Sequence, residues 1–146
     1  MSLAAKLRRA PLRLAAGAYI LNSGLGKLKG DKETAAGAHG MAVGAYPVLA
    51  KVPDTVFLKG LAVSEIALGA ALLFPLVPAG LAGLALTGFA GSLLGMYART
   101  PALHDSKFRP SQGGVPFAKD IWMAGIGVGL VIDAALSESP VTKTED

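Results

Sequence analysis

Few residues in this chain can do chemistry. Cysteine is absent, which removes disulfides, thiolate metal sites, iron–sulfur ligation and cysteine nucleophiles together. The two histidines, His39 and His104, fall in stretches that read as connections. A haem site needs axial ligands facing one another across a pocket, and this pair does not suggest one. Glu65 is the sharpest feature, a carboxylate in the middle of an apolar run, beside Ser64. At the centre of a membrane helix such a group costs about 2.5–3.5 kcal/mol on insertion scales, so it should face protein and find a partner.

The partner is sought on the first apolar run. There Tyr19, Asn22, Ser23 and Gly26 share one helix face by the i, i+3, i+4, i+7 rule. If Leu28 ends the first helix opposite Val56 at the start of the second, Glu65 lies level with Tyr19 and within a turn of Asn22. This register predicts a buried hydrogen-bond cluster of Glu65 with Asn22, and with Tyr19 or Ser23. Lys27 could reach the same cluster by its long stem, or snorkel outward. Glu65 then handles a proton or a ligand, or it simply ties two helices together. No nucleophile–base constellation and no glycine-rich phosphate loop is visible, so neither catalytic residues nor metal ligands are assigned. Asp133, near the end of the last run, is expected to meet headgroups or water. Asp120 and Lys119 mark the other end of that run, with Trp122 as an interfacial aromatic.

The elements that must position these residues are membrane spans. The 146 residues are 52% hydrophobic and only 16% charged, with mean hydropathy +0.50. A soluble domain carries about 25% charged residues, and a chain this short buries too little surface to hide so much apolar area. The reading is one all-α domain, an integral membrane four-helix bundle with spans at about 12–28, 56–74, 79–97 and 117–136. Each is near the roughly 20 residues that a span requires. The basic start is read as part of a retained helix, not as a cleaved leader, with Pro11 in a tolerated first-turn position. Pro53-Asp54-Thr55 offers a helix start, and Pro75 and Pro78 bracket a tight turn. The Ala/Gly-rich stretch 33–50 is expected as a short amphipathic or rim helix between helices one and two, with a fifth span as the alternative. Residues 137–146 read as a polar tail. Lysines and arginines fall on both sides of the spans, so the positive-inside rule assigns no orientation.

In lipid, close packing by small residues drives helix association. The third span carries Gly83, Thr87, Gly91 and Gly95 on one face, and the fourth carries Gly125 and Gly129 at the same spacing. Both faces are candidates for close helix contacts, inside the bundle or with another subunit.

The order of these features resembles the DoxX-like family of small four-helix bacterial membrane proteins. The carrying residues are Arg13-Leu-Ala-Ala-Gly17, Asn22-Ser-Gly24-Leu-Gly26-Lys27-Leu28, Glu65-Ile-Ala-Leu-Gly69 with its following apolar run and proline, and His104. The resemblance runs from about Leu12 to Asp133; no phenylalanine-histidine signature accompanies it. It implies an accessory membrane subunit, and, through the family's namesake, a link to quinone-dependent oxidation.

Three functions follow as expectations. The first is a non-enzymatic accessory subunit of a larger envelope complex such as a lipid transporter, in the bacterial inner membrane, with lipid and other membrane subunits as partners and no cofactor. The second is a subunit of a quinone-linked oxidoreductase, with quinone as the ligand and Glu65 handling protons. The third is a small oligomeric transporter. The basic residues are scattered and lack aromatic interleaving, so nucleic acid is not expected as a partner.

Overall fold

Alanine, leucine and methionine are strong helix formers, and the apolar runs they build are interrupted only at prolines and charged turns. The computed structural model describes residues 3–138, and these are all-helical, with no strand among them. Six α-helices follow in order: α1 (Leu3–Leu28), α2 (Lys32–Ala45), α3 (Asp54–Leu73), α4 (Ala79–Arg99), α5 (Val115–Ala118) and α6 (Asp120–Glu138). Short 3-10 turns cover Pro47–Lys51 and Pro101–Leu103. Three stretches are long and apolar enough to cross a membrane: α3, α4 and the α5–α6 stretch Val115–Ser137. The helix α1 is longer than any of these, but Lys6, Arg8, Arg9, Arg13 and Lys27 are spread along it. Most of the polar tail lies outside the described residues.

The first helix starts well before the expected Leu12, and Pro11 lies inside it. The expectation of Pro11 in the first turn is therefore corrected. Proline removes one backbone bond and crowds the preceding turn, yet the helix continues through it. Arg9 and Arg13 are buried on either side of the proline and fasten this stretch to α6 and α3.

The four long helices associate as two antiparallel pairs, α1 with α3 and α4 with α6. Glycines set both contacts. A Cβ on Gly24 would lie 2.8 Å from the Ala62 carbonyl oxygen, and one on Gly69 would lie 2.8 Å from the Leu21 Cα. A Cβ on Gly83 would lie 2.7 Å from the Gly127 carbonyl oxygen, and one on Gly127 would lie 2.8 Å from the Gly83 carbonyl oxygen. Gly83 and Thr87 pack against Gly127, whereas Gly91, Gly125 and Gly129 meet nothing within 4 Å. Gly95 serves a different neighbour: it leaves room for the phenol of Tyr46.

Ala16 and Ile20 of α1, Leu68 and Leu72 of α3, Ala82 and Leu86 of α4, and Leu130 of α6 join the two pairs in one core. The helix α2 starts at Asp31, whose carboxylate accepts the Thr34 N–H at 2.9 Å. That bond and the Thr34 hydroxyl hold the exposed Asp31 carboxyl below the usual carboxylate range. At 14 residues the helix spans about 21 Å, too short to cross a bilayer core. It lies on α3 and α4 as the rim helix, burying Ala35, Ala42 and Ala45.

Candidate functional site

A cavity of about 460 Å³ opens inside the bundle at the α2 end. All the long helices contribute to its wall. From α1 come Tyr19, Ile20, Ser23 and Lys27, and from α3 come Phe57, Leu61 and Glu65. Phe89, Ser92, Leu93 and Met96 come from α4, Asp120 and Met123 from α6, and α2 with its following turn closes the top. Rings, thioethers and aliphatic chains make most of this surface, with few polar groups among them. That is the usual composition of a small-molecule site.

Glu65 is buried on this wall. Its Oε2 accepts from the Lys27 Nζ at 3.0 Å, and the same ammonium donates to the Ser23 Oγ at 2.7 Å. The site therefore contains Glu65, Lys27 and Ser23 in direct contact. The expected role of Asn22 is corrected, because Asn22 is exposed and points away from Glu65. Tyr19 borders the cavity but is half exposed, and it makes no hydrogen bond to the carboxylate. Two causes account for this. The buried stripe of α1 is Arg9, Arg13, Ala16, Gly17, Ile20 and Gly24, and Asn22 sits on the opposite side of the helix from Gly24. The register also slips: the Glu65 Cβ faces Gly24, five residues beyond Tyr19, and Leu58 reaches Gly30. Leu28 is therefore not opposite Val56. The first turn of α3 extends past the end of α1.

Asp120 was expected at a span end and lies instead on the cavity wall, only 8% exposed. Among the described residues no hydrogen bond or ion pair reaches its carboxylate. Its neighbour Lys119 is exposed, with Nζ 5.8 Å from the Tyr19 ring centre, on the outer side. A periodicity in the sequence marks Asp120 as inward: Asp120, Met123, Gly127, Leu130 and Ala134 repeat at three and four residues, and they form the inner face of α6.

The rim over the cavity is tied down. The Tyr46 hydroxyl donates to the Ser92 carbonyl oxygen at 2.7 Å, and the Arg99 guanidinium lies 4.8 Å from the Tyr46 ring centre. The His39 Nε2 is 2.9 Å from the Leu49 carbonyl oxygen, and its ring tilts against Phe57. His104 stacks on Phe108 and packs on Tyr97, holding the loop after α4. Both histidines thus fasten connections to the bundle.

The opposite end of the bundle carries a second polar system. The Arg13 guanidinium is buried and donates to four carbonyl oxygens: Leu72 at 2.7 Å, Ala71 and Phe74 at 2.8 Å each, and Val77 at 2.9 Å. These are carbonyls that the end of α3 and the following turn leave without helical partners, and a cation there also suits the helix dipole. Asp133, expected in headgroups or water, is instead held by two arginines, Arg8 at 2.7 Å and Arg9 at 2.5 Å. It links α1 to α6.

No known protein family, curated protein or solved structure matches the chain.

Proposed function

We propose that this chain is a four-span bacterial inner-membrane protein, with α1, α3, α4 and α6 crossing the bilayer, that holds a lipid-soluble small molecule as a non-enzymatic subunit of a larger envelope complex. The observation that carries the reading is the mostly apolar cavity bounded by Glu65, Lys27 and Asp120. Its volume falls within the roughly 300–1,000 Å³ typical of small-molecule sites. Support for the fourth span comes from the way α1 pairs with α3 along its length. In that position most of its charges are neutralised or bonded inside the bundle, as membrane interiors require. Outward side chains such as Leu7, Leu14, Leu25, Val63, Leu84 and Ile132 give the bundle an apolar exterior. The glycines Gly91, Gly125 and Gly129, where an added Cβ would meet nothing within 4 Å, leave flat ground where a neighbouring subunit's helix can approach.

The charged groups at the cavity do not form a nucleophile with its base, so binding is the better reading than turnover. Two measurements test it. Extraction in mild detergent should yield the chain within a larger assembly, with a lipophilic small molecule retained at about one per chain. Substitution of Leu93, on the cavity wall, by tryptophan should expel that molecule. A free monomer with an empty cavity in both forms would sink the proposal.

The ion-paired Glu65 favours a second reading, the DoxX-like one, in which the cavity receives a quinol and Glu65 handles its proton. In that case Glu65→Gln, still folded and inserted, abolishes quinone-dependent turnover by the host complex. Unchanged turnover removes Glu65 from that role.

A further inference from the structure

We infer that the cavity takes a lipophilic organic cation, an ammonium or similar centre on an apolar body, with Asp120 as its counter-charge. The inference rests on the cavity's being a binding site and names the ligand class.

The first argument is the state of Asp120. It is buried, borders the cavity, and receives no hydrogen bond or ion pair. It is the first residue of α6, where an aspartate commonly accepts backbone N–H groups. Asp31 and Asp54 do so at the starts of α2 and α3, at 2.9 and 2.6 Å. Asp120 does not. A buried carboxylate is strongly disfavoured as the anion unless a cation meets it, and otherwise takes up a proton; a cationic ligand is what would hold Asp120 ionised in this place.

The second argument is local charge. Two carboxylates and one ammonium line the cavity, and no charged residue of α2 or α4 does. The one ammonium, Lys27, is already engaged by Glu65 and Ser23. The wall thus holds one more carboxylate than it holds ammonium groups, and the further cation that acts on Asp120, Lys119, does not line the cavity. Lys119 is the nearest other cation by sequence, but it lies on the outer side against Tyr19.

The third argument is the rest of the lining. Phe89, Phe117, Met96 and Met123 surround the space with ring faces and thioethers. Ring faces attract organic cations, and methionine adapts its shape to varied apolar bodies. A second space adjoins the cavity on the far side of Asp120. A groove on the outside of the bundle, between α1 and α6, is lined by Ala16, Tyr19, Lys119, Asp120, Trp122 and Met123 among others. It shares Tyr19, Asp120 and Met123 with the cavity, so Asp120 borders both spaces. A lipophilic cation dissolved in the bilayer would meet this carboxylate from the groove, beside the Lys119 ammonium.

Tetraphenylphosphonium and tetraphenylborate have nearly the same size and shape and opposite charge, so they separate charge recognition from partition. The purified full chain, in neutral detergent, is dialysed to equilibrium against each ion. Tetraphenylphosphonium should saturate a single site, while tetraphenylborate shows only non-saturable uptake by micelles. Asp120→Asn, checked for helical content and elution volume, should weaken phosphonium binding about tenfold or more. Leu93→Trp should weaken it with the carboxylate intact. Saturable binding of both ions alike, no saturable phosphonium binding, or wild-type affinity in a folded Asp120→Asn protein would overturn the inference. Should Asp120→Asn fail to fold, the comparison of the two ions on the wild-type chain still decides. A neutral lipophile retained by a chain that binds no phosphonium would overturn the cation assignment alone and leave the cavity's binding role standing.

Discussion

Arg13 ends a helix with a single side chain. Its planar fork of donors meets carbonyl oxygens of both the last turn of α3 and the Pro75–Pro78 turn. Each buried carbonyl left without a donor costs about 1–3 kcal/mol. Arg13→Ala should therefore lower unfolding stability in detergent by about 3 kcal/mol or more. Arg13→Lys should recover only part of it, because one ammonium cannot copy the fork. Chemical unfolding followed by helical signal measures both, and a lysine variant as stable as wild type would refute the cap. Glu65 and Lys27 form the other decisive pair. Lys27 keeps some solvent access while Glu65 is nearly buried, so the pair is worth less than a fully buried one. A double-mutant cycle with Glu65→Gln and Lys27→Gln should return a coupling of about 1–2 kcal/mol, and a coupling near zero would show that the two side chains do not support each other. Asp31 supplies a pH dependence. Its carboxyl is held below the ordinary range by Thr34, so its folded value lies under its unfolded one. The cap's contribution is then complete above the ordinary carboxylate range and is lost as pH falls through the lowered value. The Thr34 amide resonance should titrate with that low midpoint, and Asp31→Ala should abolish the step.

Among elements, the glycines decide which helices touch. Gly127 lies against Gly83 and Thr87, so any larger side chain must separate α4 from α6. Gly125 and Gly129 face open space on the same helix. Gly127→Leu should cost several kcal/mol, on the order of the overpacking and backbone-shift losses seen in tight cores. Gly125→Leu in the isolated chain should change the melting temperature little. Equal losses at both positions would mean that the α4–α6 contact is not the one described. The comparison also shows what the sequence made legible. Spacing four on α4 identified Gly83 and Thr87, but the same spacing on α6 chose the outward pair, Gly125 and Gly129. The inward face of α6 follows a three-four repeat that includes a carboxylate, Asp120, and a charged residue at a span end reads most simply as solvated. The same bias hid Arg9 and Arg13, whose buried positions fit the stripe of Ala16, Ile20 and Gly24 but whose charge placed them in a flank. Glu65 was legible because no bland reading accommodates a mid-span carboxylate. Its neighbours were not, because hairpin register depends on how far each helix overhangs the other, and a gap of a few residues rotates and slides the facing side chains.

At the scale of the whole molecule, two tight helix pairs are held together differently at their two ends. At the α2 end they part around the cavity, and Lys27–Glu65 lies within the first pair. In the middle they share the core of Ile20, Leu72, Leu86 and Leu130. At the other end the connection between pairs is ionic, Arg8 and Arg9 of α1 on Asp133 of α6. Arg9 is 3% exposed, so losing the carboxylate takes an ionic partner from a buried guanidinium, which keeps its bond to the Asp133 carbonyl oxygen; removing one partner costs about 3–5 kcal/mol in fully buried pairs. Asp133 is itself partly exposed, which lowers the expected loss toward the smaller figure. The loss should also fall unevenly. Contacts within α1–α3 and within α4–α6 do not involve Asp133, while the clamp bridges the two. Asp133→Asn should therefore let the pairs come apart before either unfolds. A pair of cysteines, one on α1 and one on α6 near this end, should crosslink readily in the otherwise wild-type chain and poorly with Asp133→Asn. A matching cysteine pair between α4 and α6 should crosslink equally in both. Equal crosslinking of α1 to α6 with and without the Asp133 carboxylate would show that the shared apolar core alone joins the pairs and that the arginine clamp adds nothing to their docking.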